Sequence, residues 1–349
     1  MLYSAAVLFT SGLAYGVWSI KEIARLRNEN SFLKNNRTVL IASLKRNNKE
    51  IEILNEKLNT QNTLQPLTVS LTTPSVPSTA KSQSMRFPVT PDGIPYTFNN
   101  GASDKPIVSI TFDGGSTANT AYEVLDTLKS RNVKSTMFLT GEFIRKYPEV
   151  IKRIISDGHE IGNHTLEHKH LTSWAMDKTQ TSLPYVNQEF IASELFGAEK
   201  LLRDKTGGSF VPLWRSPYGE FNPDICRMAL SCGYVHIGWR QGQSWKQSLD
   251  SNDWITDQET PGYKTPGEVL TKIMAIAKTK PDGINGGIIL MHLGSNRDIP
   301  NQVYHILGTL IDSLQMNGYR IIPVTEMMRL SGVDLSKITD HRTIIANKN

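Results

Sequence analysis

Two histidines stand four residues apart in the stretch Gly162-Asn163-His164-Thr165-Leu166-Glu167-His168. From one helical turn that spacing points both rings the same way. Imidazole is the commonest metal-binding side chain, so the pair is a candidate seat for one ion. Two histidines alone do not make a catalytic zinc site, which usually has three protein ligands and an open position. Four further polar clusters offer what is missing. Asp113 sits in Thr111-Phe112-Asp113-Gly114-Gly115. A carboxylate followed by two glycines can face a pocket as a general base or a ligand, or simply cap a turn. Arg215, in Trp214-Arg215-Ser216-Pro217-Tyr218-Gly219, supplies a cation able to pair with Asp113 and orient it. Asp250 and Asp253 lie in Ser248-Leu249-Asp250-Ser251-Asn252-Asp253-Trp254, and His292 closes Leu290-Met291-His292. An ion that acidifies water, a base to take its proton and an acid for the leaving group are the parts of metal-assisted hydrolysis.

The elements that must carry these residues alternate. Apolar runs at Ile107–Phe112, Thr136–Leu139, Val211–Trp214, Val235–Gly238, Ile288–Met291 and Arg320–Val324 are predicted strands. Helical spacing runs through Ala118–Ser130, Glu149–Ser156, Gln188–Leu202, Gly267–Ala277 and Gln302–Leu314, and Asp157-Gly158 stops the second of these. The alternation predicts an α/β fold with a parallel sheet of about seven strands, which closes into a (β/α) barrel rather than staying open. The polar clusters then fall at the strand ends where barrel active sites are built.

Taken together, and in this order, the clusters resemble the polysaccharide deacetylase family (the NodB-homology domain, carbohydrate esterase family four). The resemblance covers about residues 100–330. The family's Thr-Phe-Asp-Asp-Gly is met by Thr111 to Gly115, and its His-(Ser/Thr)-x-x-His by His164 to His168. Its Arg-x-Pro-Tyr-Gly is met by Arg215 to Gly219, its Asp-x-x-Asp-Trp by Asp250 to Trp254, and its Leu-x-His by Leu290 and His292. The resemblance implies a distorted (β/α) barrel that removes acetyl groups from N-acetylated sugars. It implies Asp113 as base, His292 as acid, and His164 and His168 as ligands of a divalent metal, zinc first. It also implies Arg215 as the residue holding the base, Asp250 or Asp253 as the one tuning the acid, and the Tyr218 backbone N–H as an oxyanion donor. Trp254, Leu290 and Tyr218 are the expected sugar contacts. One position departs from the pattern: the family's third metal ligand is the second Asp of the first motif, and here it is Gly114. Three outcomes are open there. Asp113 itself ligates, another group fills the gap, or the domain binds glycan without turning it over. The central motif also reads His-x-x-Glu-His, an inverted zinc protease signature with Glu167 as base. That mechanism needs a long helix, which Gly162 and Asn163 do not favour.

The 349 residues, 39% of them hydrophobic, allow one barrel with an appendage. The formal charge of +5 suits an anionic wall polymer, and no interleaving of aromatic and basic residues points to nucleic acid. Residues 1–20 carry no charged side chain and are expected to be a membrane anchor or a cleaved signal segment. The expected location is therefore outside the cell membrane, anchored or secreted. Lys21, Arg25 and Arg27 follow the apolar run with no Lys or Arg before it, an asymmetry that opposes export. Residues 21–60 place Ile23, Asn30, Arg37, Leu44, Ile51 and Leu58 at successive a positions, with Leu26, Leu33, Leu40, Asn47 and Leu54 at d. That pattern predicts a dimeric coiled-coil stalk, in register through Asn30. Residues 61–99 read as a Ser/Thr/Pro-rich linker and lead-in, 100–335 as the catalytic domain and 336–349 as a tail. Cys226 and Cys232 sit on different faces of a predicted helix, an arrangement that does not favour a disulfide. The segments Trp174–Val186, Arg240–Gln247 and Ile255–Lys264 are pocket-end loops, where substrate choice is expected to reside.

Overall fold

The apolar run that opens at Ile107 is a strand because each of its residues is buried on one side or the other, the condition of an interior parallel strand. In the computed structural model, which describes residues 89–338 apart from Asp92, 243–246 and Lys280, this strand is the hub of the sheet. The expected anchor, stalk, most of the linker and the end of the tail lie outside the described residues.

Eight strands are described: β1 (Thr97–Phe98), β2 (Ile107–Gly114), β3 (Thr136–Leu139), β4 (Glu160–Asn163), β5 (Leu213–Trp214), β6 (Val235–Ile237), β7 (Gly287–His292) and β8 (Arg320–Ile321). Their order is β1-β6-β5-β4-β3-β2-β7, every pairing is parallel, and β8 pairs with the start of β2. The sheet curls but does not close as a ring of ladders. Its seam is bridged by irregular backbone: Gly101 N–H donates to Gly286 O at 2.7 Å, Arg240 N–H to Ile288 O at 3.2 Å, and Ser251 N–H to Leu290 O at 3.0 Å. The expected barrel is therefore a curled parallel sheet with a stitched gap.

Side chains alternate across each strand. Ile110 and Phe112 of β2, with Ile289 and Met291 of β7, pack outward against helices α1 (Ala121–Ser130), α3 (Pro148–Ser156), α7 (Pro266–Ala277) and α8 (Leu307–Met316). Ile107, Phe138, Leu213, Val235, Ile237 and Ile288 fill the interior, and α9 (Val324–Leu330) packs Val324, Met327 and Met328 against them. A third cluster lies under α5 (Gln188–Thr206) and α6 (Pro223–Ser231). Short helices α2 (Gly141–Lys146) and α4 (Trp174–Asp177) complete the set among the described residues. Thr140, Asn187, Asn222 and Thr265 cap α2, α5, α6 and α7 with side-chain acceptors, so these helices start where their caps dictate.

Several expectations need correcting. No strand is expected at Glu160–Asn163, yet β4 lies there. Gly162 and Asn163 are poor strand formers, but a Cβ at Gly162 would stand 2.4 Å from the Phe138 ring, so close packing demands the glycine. The last strand ends at Ile321, because Pro323 lacks an N–H and instead precedes α9. The stretch from Gln302 begins as 3-10 turns and becomes α-helical at Leu307. Cys226 and Cys232 are both buried and are not joined in a disulfide.

Candidate active site

Asp113 and His292 are register partners on the adjacent strands β2 and β7. Parallel strands run about 4.8 Å apart, so the fold alone places this carboxylate beside this imidazole. Each is held by a second charged group. Arg215 follows β5 and is fully buried. It donates from Nη1 to Asp113 Oδ1 at 2.7 Å, from Nη2 to Thr111 Oγ1 at 3.0 Å, and from Nε to Ile237 O at 3.1 Å. The guanidinium also lies over the Phe138 ring, 4.2 Å from its centroid. A buried cation this completely partnered is a fixed counter-charge. Burial alone would raise the Asp113 carboxyl. The Arg215 charge and hydrogen bond, with the His292 charge, more than offset burial and hold it below the usual carboxylate range.

The second pair is His292 and Asp253. His292 Nδ1 donates to Asp253 Oδ1 at 2.6 Å, and the His292 backbone N–H donates to the other oxygen at 2.9 Å. Desolvation disfavours the imidazolium, but the Asp253 charge and hydrogen bond, with Asp113 and Asp250 behind them, push its pKa up to about 9. Of the two acidic candidates for tuning this histidine, Asp253 is thus the one in contact. Asp250 turns its carboxylate to the Asn252 N–H at 2.8 Å and is raised by burial; its backbone carbonyl accepts from Lys272 Nζ at 2.5 Å.

His164 and His168 do not share a helical turn. They lie on a loop after β4, where Thr165 and His168 take left-handed φ angles of 66° and 51°. Asn163 builds that loop, accepting from Thr165 N–H at 2.9 Å and donating to Leu195 O at 2.9 Å. Thr165 Oγ1 accepts from His168 N–H at 3.2 Å. The rings still meet, with centroids 4.8 Å apart at 75°. Glu167 is exposed and pairs with Arg145 at 3.2 Å, and the stretch that carries it is not helical, which removes the protease reading.

The donors present fit a divalent ion in kind. His164 Nδ1 is 2.8 Å from Arg215 O, and a carbonyl can only accept, so Nδ1 carries the proton and Nε2 the lone pair. That Nε2 faces Asp113 Oδ2 at 3.5 Å. Burial, with the neighbouring His164, lowers His168 to about 3, and burial also lowers His164, so both rings are neutral and open to a metal. The count falls short: among the described residues no group of three His, Cys, Asp or Glu side chains is already arranged to hold an ion. Gly114 does not leave an empty cradle either, since a Cβ there would stand 2.7 Å from Leu139 Cδ2 and 3.0 Å from the Phe143 ring.

The remaining expected contacts divide. Tyr218 (φ 57°) and Trp254 are exposed at the rim, 56% and 60%. Leu290 is buried, on the same face of β7 as His292 and one pair below it, so it forms floor rather than a contact surface. Thr111, Asn163, Glu220, His170 and His236 were missed. His236, behind Arg215, is bonded to Thr97 Oγ1 at 2.7 Å and Ser216 Oγ at 3.1 Å. Their signals were positional only: each sits within a few residues of a motif but outside its pattern. A surface pocket lined by Thr117, Asn119, Tyr122, Lys146 and Tyr147 contains none of these charged pairs.

The polysaccharide deacetylase family matches residues 100–237. A peptidoglycan-N-acetylglucosamine deacetylase of Bacillus cereus is 31% identical over 209 residues, covering 53% of this chain and 68% of that one. The peptidoglycan-N-acetylglucosamine deacetylase PgdA of Listeria monocytogenes is 30% identical over 220 residues, 63% of this chain but 38% of its own length. Among solved structures, a peptidoglycan N-acetylglucosamine deacetylase in complex with 4-naphthalen-1-yl-N-oxidanyl-benzamide superposes with a TM-score of 0.52 and 26% identity, covering 66% of this chain and 92% of that one.

Proposed function

Because this chain belongs to the polysaccharide deacetylase family, we propose that it hydrolyses N-acetyl groups from the amino sugars of a cell-wall glycan, peptidoglycan first and chitin-type oligosaccharides second. The observation that carries this reading is the pairing of two pre-charged couples across β2 and β7, Arg215–Asp113 and Asp253–His292. Amide hydrolysis needs a proton taken from water and a proton given to the departing amine, and the two couples are opposite in kind. Asp113, ionised and aimed by Arg215, accepts the proton from water. His292, kept protonated by Asp253, supplies the proton without which a sugar amine is a poor leaving group. The Tyr218 backbone N–H is the proposed donor to the developing oxyanion. His164 and His168 would hold the divalent ion, zinc first, which when bound polarises the carbonyl and acidifies water.

Residues 1–20 are proposed to anchor or export the chain, and residues 21–60 to dimerise it, which would bring the domain to the wall. A second reading, a glycan-binding domain without turnover, is favoured by Gly114 alone. Acetate release from peptidoglycan and from chitooligosaccharides, with and without added zinc, separates the two. The expected result is zinc-stimulated release that falls by about 10²- to 10⁴-fold in Asp113→Asn. Glycan binding with no acetate from either polymer would establish the second reading instead.

A further inference from the structure

Glu220 takes no part in either proton-handling couple, yet it is almost completely buried, at 1% exposure. A buried carboxylate is costly unless its oxygens are satisfied. Here they hold three donors: His170 Nδ1 lies 2.7 Å from Oε1, and Oε2 accepts from Leu171 N–H at 2.8 Å and Thr172 N–H at 3.0 Å. One side chain therefore ties the loop after β5, which carries Tyr218, to the chain leaving His168. The His170 ring is oriented by that bond and lies flat on Tyr218, with centroids 4.0 Å apart at 12°. From the other side Tyr185 Oη donates to His170 O at 2.5 Å. Tyr218 in turn meets His168 edge-on, at 4.6 Å and 60°.

The two candidate metal histidines are thus supported differently. A ligating imidazole usually has its second nitrogen bonded to a carboxylate or carbonyl, which fixes the ring. His164 has this in Arg215 O. Among the described residues no hydrogen bond orients the His168 ring, and what touches it are the rings of His164 and Tyr218. We infer that Glu220, through His170 and the stacked Tyr218 ring, positions His168 for a divalent ion, a role that rests on reading His164 and His168 as the metal pair. His170 is a positioning residue here and not a ligand, because the Tyr218 ring stands against both histidines.

Zinc titration calorimetry on the full chain tests this, comparing the unaltered protein with His170→Ala, Glu220→Gln and His170→Phe, each checked by thermal unfolding. His170→Ala and Glu220→Gln are expected to bind zinc about 10- to 100-fold more weakly, the usual cost of losing such support. His170→Phe keeps a flat ring but loses the bond to Glu220 that orients it, and is expected to stay weaker than the unaltered protein. Zinc binding as tight as in the unaltered protein, in folded His170→Ala and Glu220→Gln, overturns the inference and leaves the metal reading intact. Should Glu220→Gln fail to fold, His170→Ala decides. Zinc binding by His170→Phe as tight as in the unaltered protein also overturns it, since stacking would then suffice without Glu220. If the unaltered chain takes up no zinc, the metal reading itself fails and this inference falls with it.

Discussion

His292 carries the clearest pH signature at the level of single residues. Its protonated form is favoured by Asp253, so its pKa lies near 9 instead of the ordinary 6.5. A group raised in this way contributes stability that is fully present below about pH 6.5 and lost as pH climbs through about 9. Under the proposed function the same titration governs catalysis, since the deprotonated ring cannot serve as the proposed acid. Acetate release plotted against pH should therefore fall on an alkaline limb near 9, and Asp253→Asn should move that limb down toward 6.5. An alkaline limb unmoved in Asp253→Asn would show that another group sets it. Gly114 makes a second prediction. Placing the family's carboxylate there, as Gly114→Asp, is expected to destabilise the fold by about 1–3 kcal/mol, because the new side chain must displace Leu139 and Phe143 in a filled core. It is not expected to tighten zinc binding. Thermal unfolding and zinc titration of the variant check both halves.

Among the elements, β4 and the loop after it decide whether the two histidines meet. The loop has no helical hydrogen-bond ladder to hold it, so Asn163 and the Thr165 hydroxyl do that work from side chains. Asn163 is completely buried. Asn163→Ala should cost about 1–3 kcal/mol by leaving Leu195 O without this donor and Thr165 N–H without this acceptor. It should also weaken zinc binding, which titration calorimetry would detect. This element was not readable beforehand: Glu-Ile-Gly-Asn has no strand pattern, and only the Phe138 ring on the neighbouring strand explains the glycine. The His-to-His spacing suggested convergence but for the wrong reason, a helical turn instead of two left-handed residues in a loop. By contrast β2, β3 and β7 were legible, since runs buried on both faces show as continuous apolar stretches.

For the molecule as a whole, residues 21–60 are proposed to dimerise the chain. Sedimentation of the full chain is expected to report a dimer, and of a chain beginning at residue 86 a monomer. A monomer in both cases would discard the stalk as a dimerisation device. The curled sheet matters at this scale because its open seam along β7 is stitched by the very segment, Leu249 to Asp253, that delivers the partner of His292. The distortion of the barrel and the placement of Asp253 are one feature.

From the residues in order came the α/β class, the metal-assisted hydrolysis they could support and the motif positions, because residue types and strand-end punctuation are local properties of a chain. The Arg215–Asp113 pairing was also anticipated from the sequence, and the fold brings the two within 2.7 Å. Tertiary structure alone chose Asp253 over Asp250, put Glu167 at the surface, filled the space beside Gly114 and set Glu220 behind His170. Each of those depends on which atoms from distant segments occupy one small volume. Spacing along a chain does not encode that volume; packing across β2, β4, β5 and β7 does.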